Sequence, residues 1–350
     1  MIFSIVFFAT LFLSILLTRL MMRVNISAVP TQRSSHKNPT PAAGGVAFTV
    51  AFCLGFLFVY YSPLFAIDSS ILQKYILYYG LAALIVTLVS LRDDYKSISY
   101  RIRLLTHFIS VLLLVYGGLI VEFPSFGNDI NVWGPSIFTV FALMSLINGA
   151  NFIDGLDGLL SGCIIISLVF QICLIWPADL LFVAFYSLLL AALLGFFIFN
   201  FPKAKIFMGD IGSTFLGLTL GFSAIIAQKY YPFSTDTALI HKGFIYSLTP
   251  LSFLWFDVAF TLLRRAYLGN RLTEAHRDHL IHILNDCGYS HALISSLYFI
   301  SVVVMGSFTL LSHYSYINFM TFFFIYVVLQ TCFCAWVFHQ KRRHHKLKFT

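Results

Sequence analysis

Apolar runs of bilayer length follow one another along almost the whole chain, at 2–22, 44–61, 71–91, 103–121, 135–150, 159–176, 180–201, 211–228, 240–262, 291–312 and 317–338. A helix needs about 20 apolar residues to cross a hydrocarbon core about 30 Å thick. Only 10% of the residues are charged, against about 25% in a soluble chain, and the mean hydropathy is +0.87. A water-soluble globule is excluded. The expectation is an all-α integral membrane protein: a polytopic bundle of about eleven transmembrane helices forming one domain over residues 1–350. The first run has no basic residue ahead of it and no small-residue cleavage site, so it is expected to be a retained helix.

Eleven spans divide the connecting segments into two alternating sets. Nineteen of the 22 Lys and Arg residues fall in one set; Lys74, Lys229 and Lys242 make up the other. Basic residues concentrate on the cytoplasmic side. The N-terminus is therefore expected in the periplasm and the C-terminus in the cytoplasm. The net charge of +8 is explained by this asymmetry, so a lipid bilayer and no nucleic acid is the expected partner. The run Lys341-Arg342-Arg343-His344-His345-Lys346 suits an anchor at anionic lipid. The six cysteines show no C-x-x-C spacing, and five lie inside apolar runs, where a free Cys acts as a small hydrophobe.

Ionised side chains near a bilayer are costly and mark function. Three acidic segments fall in the basic, cytoplasmic set. Asp93-Asp94 closes the third span, with Lys96, Arg101 and Arg103 just beyond; two acids at a helix C-terminus oppose the macrodipole. In Asn148-Gly149-Ala150-Asn151-Phe152-Ile153-Asp154-Gly155-Leu156-Asp157-Gly158, polar residues recur at every third position and share a face. Asp210, in Phe207-Met208-Gly209-Asp210-Ile211-Gly212-Ser213, opens a span that it could simply cap. The loop Glu274-Ala275-His276-Arg277-Asp278-His279-Leu280-Ile281-His282 steps its histidines by three. Asp257, alone inside a span, is expected to pair with Arg264-Arg265.

Carboxylate and carboxamide oxygens suit Mg²⁺, with Mn²⁺ as the alternative; such an ion takes one or two protein carboxylates and completes its shell with water and phosphate. The interleaved Arg and Lys residues would neutralise the rest of a diphosphate. At a membrane surface, that combination describes phosphoryl transfer from a water-soluble donor to a lipid acceptor. A polytopic transporter is the competing class, but its polar site would sit near the midplane of repeated halves, and no internal repeat is visible here.

In this order and spacing, Asp93-Asp94, the N-x-x-N-x-x-D-G-x-D-G-L run from Asn148 to Leu159, Met208-Gly209-Asp210-Ile211-Gly212-Ser213 and the His-rich loop resemble the polyprenyl-phosphate N-acetylhexosamine-1-phosphate transferases of glycosyltransferase family 4. The eleven spans look like the WecA-type branch, and the resemblance covers Arg33 through His282. It implies a multi-pass enzyme of the bacterial inner (cytoplasmic) membrane with its site facing the cytoplasm. The implied reaction moves a sugar 1-phosphate from a UDP-N-acetylhexosamine to undecaprenyl phosphate, releases UMP, depends on Mg²⁺ and starts a lipid-linked surface polysaccharide such as O-antigen. Asn151 and Asp210 are implied as metal ligands. Asp93 and Asp94 would flank the lipid phosphate, with Asp93 the traditional base, while Asp154 and Asp157 would shape the nucleotide-sugar pocket. Asn148, Lys96, Arg103, His279 and His282 complete the implied substrate contacts; the sequence leaves the oligomeric state open, with a homodimer as one candidate. Two departures bear on sugar and lipid choice: Ile281 stands where the branch has a histidine, and Pro39-Thr40-Pro41-Ala42-Ala43-Gly44-Gly45 lacks the usual arginine.

Overall fold

The structure is a computed structural model describing residues 2–24, 26–28, 39–62, 70–123, 133–176, 179–230, 241–271 and 276–348. Ten of the eleven expected runs each fall on one helix and the ninth on two, and the chain is an all-α, multi-pass membrane protein. The helices are α1 (Ile2–Met21), α2 (Gly44–Tyr60), α3 (Ser70–Tyr95), α4 (Tyr100–Tyr116), α5 (Trp133–Ile153), α6 (Leu159–Ile175), α7 (Leu180–Asn200), α8 (Gly209–Tyr230), α9 (Lys242–Leu248), α10 (Ser252–Tyr267), α11 (Leu280–Asp286), α12 (His291–His313) and α13 (Phe319–Lys348). Among the described residues, eight helices are long and apolar enough to cross a bilayer, taking Lys242–Tyr267 as one. Helices α2, α4 and α6 have 17 residues each. At 1.5 Å per residue that is about 26 Å, slightly short of the hydrocarbon thickness.

The boundaries depart from expectation where polar side chains extend a helix. Helix α3 runs on through Asp93 and Asp94 to Tyr95. Helix α5 runs on through Asn151 to Ile153. Helix α4 starts three residues early, because the Ser99 side chain caps it by accepting from the Ile102 amide. The ninth run is broken by a 3₁₀ turn, Thr249–Leu251, containing Pro250. Here the Gln171 amide of α6 donates to the Ser247 carbonyl, as a helix break inside a membrane requires.

Lipid offers no hydrophobic drive between helices, so close packing and interhelical hydrogen bonds hold them together. Helix α8 is buried almost throughout and α7 largely so, whereas α1 and α13 face outward. Tyr79 pairs with Thr219 (2.8 Å) and Ser90 with Thr214 (2.9 Å), joining α3 to α8. Ser14 donates to the Ala192 carbonyl at 2.6 Å, joining α1 to α7. A short antiparallel pair, β1 (Ser27–Ala28) and β2 (Thr40–Pro41), precedes α2. The Pro41 carbonyl then accepts from Phe207, and Gly44 and Gly45 donate to the carbonyls of Phe207 and Met208. The start of α2 is thereby tied to the start of α8.

Polar contacts gather the C-terminal ends of α3 and α5 and the N-terminal ends of α4 and α8 at one end of the bundle. Lys229 of α8 meets Tyr75 of α3 at the other end, at 2.6 Å. Every acidic segment singled out above lies at the first of these ends.

Candidate active site

Asp94 resolves the apparent conflict with its own helix dipole. Its carboxylate accepts from the amides of Asp210 (2.8 Å) and Ile211 (3.1 Å), so it caps α8, whose positive end offsets the unfavourable end of α3. The cap expected of Asp210 is thus supplied from another helix, which frees the Asp210 side chain. Gly209 makes the approach possible: its φ is +69°, and a Cβ there would lie 2.3 Å from the Ala42 carbonyl oxygen and 2.6 Å from Asp94 Oδ2.

The freed carboxylate of Asp210 is the hub. Its Oδ2 accepts from Arg103 at 3.0 Å and its Oδ1 from Asn151 Nδ2 at 2.9 Å. Asn151 Nδ2 also reaches Ser213 Oγ at 3.1 Å. Arg103 turns to Asp93 Oδ2 at 3.1 Å as well, while Asp93 Oδ1 accepts from the Ile98 amide at 2.7 Å. One guanidinium therefore bridges carboxylates from α3 and α8. It is 39% exposed, and solvent limits such a pair to about 1 kcal/mol or less, so its weight lies in placing positive charge beside the acids.

The Asn148–Asp157 segment divides. Asn148 Oδ1 accepts from His107 Nδ1 at 3.2 Å, and its Nδ2 donates to the Met144 carbonyl at 2.7 Å. Asp154 lies partly buried in the turn after α5. Burial first, then repulsion from Asp210 and Asp94, pushes its carboxyl up to about 8. Asp157 faces away from that cluster: its carboxylate meets the Ala204 amide (3.1 Å) and His291 Nδ1 (3.1 Å), tying the turn to the 201–208 loop and to α12. Lys96 is exposed, and Arg92 donates to its carbonyl at 3.0 Å.

The histidine loop is partly helical, a feature its polar sequence did not reveal. Asp257 pairs with neither Arg264 nor Arg265, contrary to expectation. It accepts from His279 Nδ1 (3.2 Å), the amides of Leu280 (2.8 Å) and Ile281 (3.2 Å), Thr261 Oγ1 (3.2 Å) and the Tyr298 hydroxyl (3.0 Å). Arg265 instead engages Asp278 and the Arg271 carbonyl. Hence His279 is only 3% exposed and turned to Asp257. His282 packs against the Gly155 turn: a Cβ on Gly155 would lie 2.7 Å from its Cε1. Burial, helped by Arg277 and His279, pulls the His282 imidazole down to about 4, so it is neutral near pH 7. Glu274, Arg33 and Lys37 lie outside the described residues.

His107, Ser213, Asp257 and His291 were missed as site neighbours. His107 had a legible signal, four residues after Arg103 and so on the same helix face. Among the described residues no three Asp, Glu, His or Cys side chains converge as a complete metal cage. Asp210 and Asn151 nonetheless touch, and Asp94, Asp154 and Asp210 lie close enough for their charges to interact. This oxygen-only donor set fits an ion such as Mg²⁺, which takes few protein ligands and fills its shell with phosphate and water.

Residues 76–228 match the family model described as glycosyl transferase family 4. The chain is 26% identical over 324 residues to a probable undecaprenyl-phosphate N-acetylglucosaminyl 1-phosphate transferase of Bacillus subtilis, covering 87% of this chain and 86% of that one. It is 28% identical to the undecaprenyl-phosphate alpha-N-acetylglucosaminyl 1-phosphate transferase of Escherichia coli K12, covering 89% and 83%. It is also 28% identical to the decaprenyl-phosphate N-acetylglucosaminephosphotransferase of Mycolicibacterium smegmatis, covering 82% and 76%.

Proposed function

The chain belongs to glycosyl transferase family 4, and from that premise we propose that it moves a sugar 1-phosphate from a UDP-N-acetylhexosamine to undecaprenyl phosphate. The reaction would take place at the cytoplasmic face of a bacterial inner membrane and release UMP. The observation that carries this reading is the Arg103 bridge between Asp93 and Asp210, with Asn151 on the same Asp210 carboxylate. It sets alternating acid and base groups at the membrane-surface end of the bundle, as a diphosphate between water and lipid requires.

An oxygen of the lipid phosphate attacks the phosphorus that carries the sugar. The bond from that phosphorus to the bridging oxygen breaks, and its electron pair leaves on UMP. A phosphate monoester has a second pKa near 6, so the acceptor is largely dianionic at neutral pH and needs little proton removal. Alignment and charge neutralisation then carry the rate. Arg103 would compensate phosphate charge. Asp93, held by Arg103 and the Ile98 amide, would orient the acceptor side rather than act as a free base. Asp210 and Asn151 would hold Mg²⁺, which when bound neutralises charge on the diphosphate. The neutral His282 would hydrogen-bond donor oxygens beside Gly155, and Asp154 and Asp157 would shape the turn that receives the nucleotide sugar.

The test is purified protein in lipid nanodiscs with undecaprenyl phosphate, MgCl₂ and a panel of UDP-N-acetylhexosamines, following UMP release. Release that needs both substrates and stops with EDTA is expected. No release with any sugar of the panel, or EDTA-insensitive movement of a solute across vesicles, overturns the proposal.

A further inference from the structure

Asp257 has no part in the chemistry above, yet it is a fully buried carboxylate (0% exposed) within a membrane helix, a placement that demands an explanation. Its oxygens are divided among three elements. Oδ1 takes His279 Nδ1, the Leu280 amide and Thr261; Oδ2 takes the Ile281 amide and the Tyr298 hydroxyl. A carboxylate can only accept, so His279 donates through Nδ1, and a neutral imidazole then keeps Nε2 as its acceptor. Two of the donors are the first amides of α11, the helix that carries His282.

His282 is 8% exposed, and its Nδ1 has no hydrogen-bond partner among the described residues. A buried polar atom without a partner costs about 1–3 kcal/mol, which a ligand oxygen would relieve. Its ring lies against Gly155, the residue that follows Asp154 in the turn after α5.

We infer that Asp257 is a positioning residue for the nucleotide-sugar half of the site: it fixes the His279 tautomer and seats α11 so that His282 is presented against the Gly155 turn. This rests on the function proposed above, where the donor binds on that side. A carboxylate that merely cemented α10 to α12 would, when lost, harm both substrates alike.

Asp257→Asn sets an NH₂ group among five donors. The UDP-sugar KM is expected to rise about tenfold, roughly 1.4 kcal/mol, with the undecaprenyl phosphate KM unchanged within about twofold. In ¹⁵N-histidine spectra, the resonance lost in His279→Gln is expected to show Nδ1 protonated in the native protein and not in Asp257→Asn. Tyr298→Phe removes one donor and keeps the carboxylate, so it serves if Asp257→Asn fails to fold. It should raise the UDP-sugar KM about threefold and leave the tautomer alone. The inference falls if the two KM values move together, if neither moves in either variant, or if native His279 is protonated only at Nε2. Should native protein release no UMP, the proposed function fails, while the His279 spectra still decide what Asp257 does.

Discussion

Asp93 and Asp154 are both site carboxylates, yet their surroundings give them opposite work. Asp93 is engaged at both oxygens, by Ile98 and Arg103, and these contacts set it to hold Arg103 in place rather than to turn toward an acceptor's proton. Asp93→Asn should therefore lower kcat about a hundredfold by misplacing the phosphates, with UMP release staying low from pH 6 to 9. A profile that merely shifts upward, with full rate regained at high pH, would make Asp93 a base. Asp154 titrates near 8 in the folded protein, above its unfolded value of about 4. Folding then takes up a proton, so stability drops as pH rises from about 4 to about 8 and is flat beyond. A cation near Asp154 favours the ionised form, so Mg²⁺ should raise the melting temperature more at pH 8.5 than at pH 5.5. Equal shifts at the two values in detergent-purified protein would remove the cation from this cluster.

The meeting of α3 and α8 is the element on which the site turns, and it was only half legible. The acids themselves stood out, because Asp93, Asp94, Asn151 and Asp210 interrupt apolar sequence. The cap was hidden: Asp94 and Asp210 are 116 positions apart, and nothing local in Leu91–Tyr95 shows that its dipole cost is offset by another helix. Likewise α11 was hidden: its buried Leu280, Ile281, Ile283 and Leu284 share one face, but seven residues are too few for a period to stand out, and the Asp257 cap on its first amides comes from α10. Asp94→Ala should cost about 1–2 kcal/mol, as loss of a cap does, and Asp94→Asn less, because one acceptor oxygen remains. Gly209→Ala should cost more than either, since it forces an L side chain to a positive φ and into the Ala42 carbonyl and Asp94. Thermal unfolding in nanodiscs measures all three, and a Gly209→Ala protein as stable as the native chain would show that the α3–α8 joint is loose.

At the scale of the whole molecule, sidedness links sequence to chemistry. Arg103 and the acidic site share one end of the bundle, whereas Lys229 lies with Tyr75 at the other. The alternation of Lys and Arg along the chain predicts a two-sided partition, because it depends on the order of segments and not on any tertiary contact. It does not fix how the 17-residue helices α2, α4 and α6 meet the bilayer, since charge counts say nothing of tilt or local thinning. With the positive-inside rule, we propose that the Arg103 end faces the cytoplasm and Lys74 the outside. Lys96→Cys and Lys203→Cys, both at exposed positions of the site end, should therefore react with a membrane-impermeant maleimide in inside-out vesicles and stay unlabelled in intact spheroplasts. Lys74→Cys should do the reverse, each in a background without the six native cysteines. Labelling of Lys96→Cys in intact spheroplasts would put the site on the outer surface, where no UDP-sugar is made, and would sink the proposed reaction together with the topology.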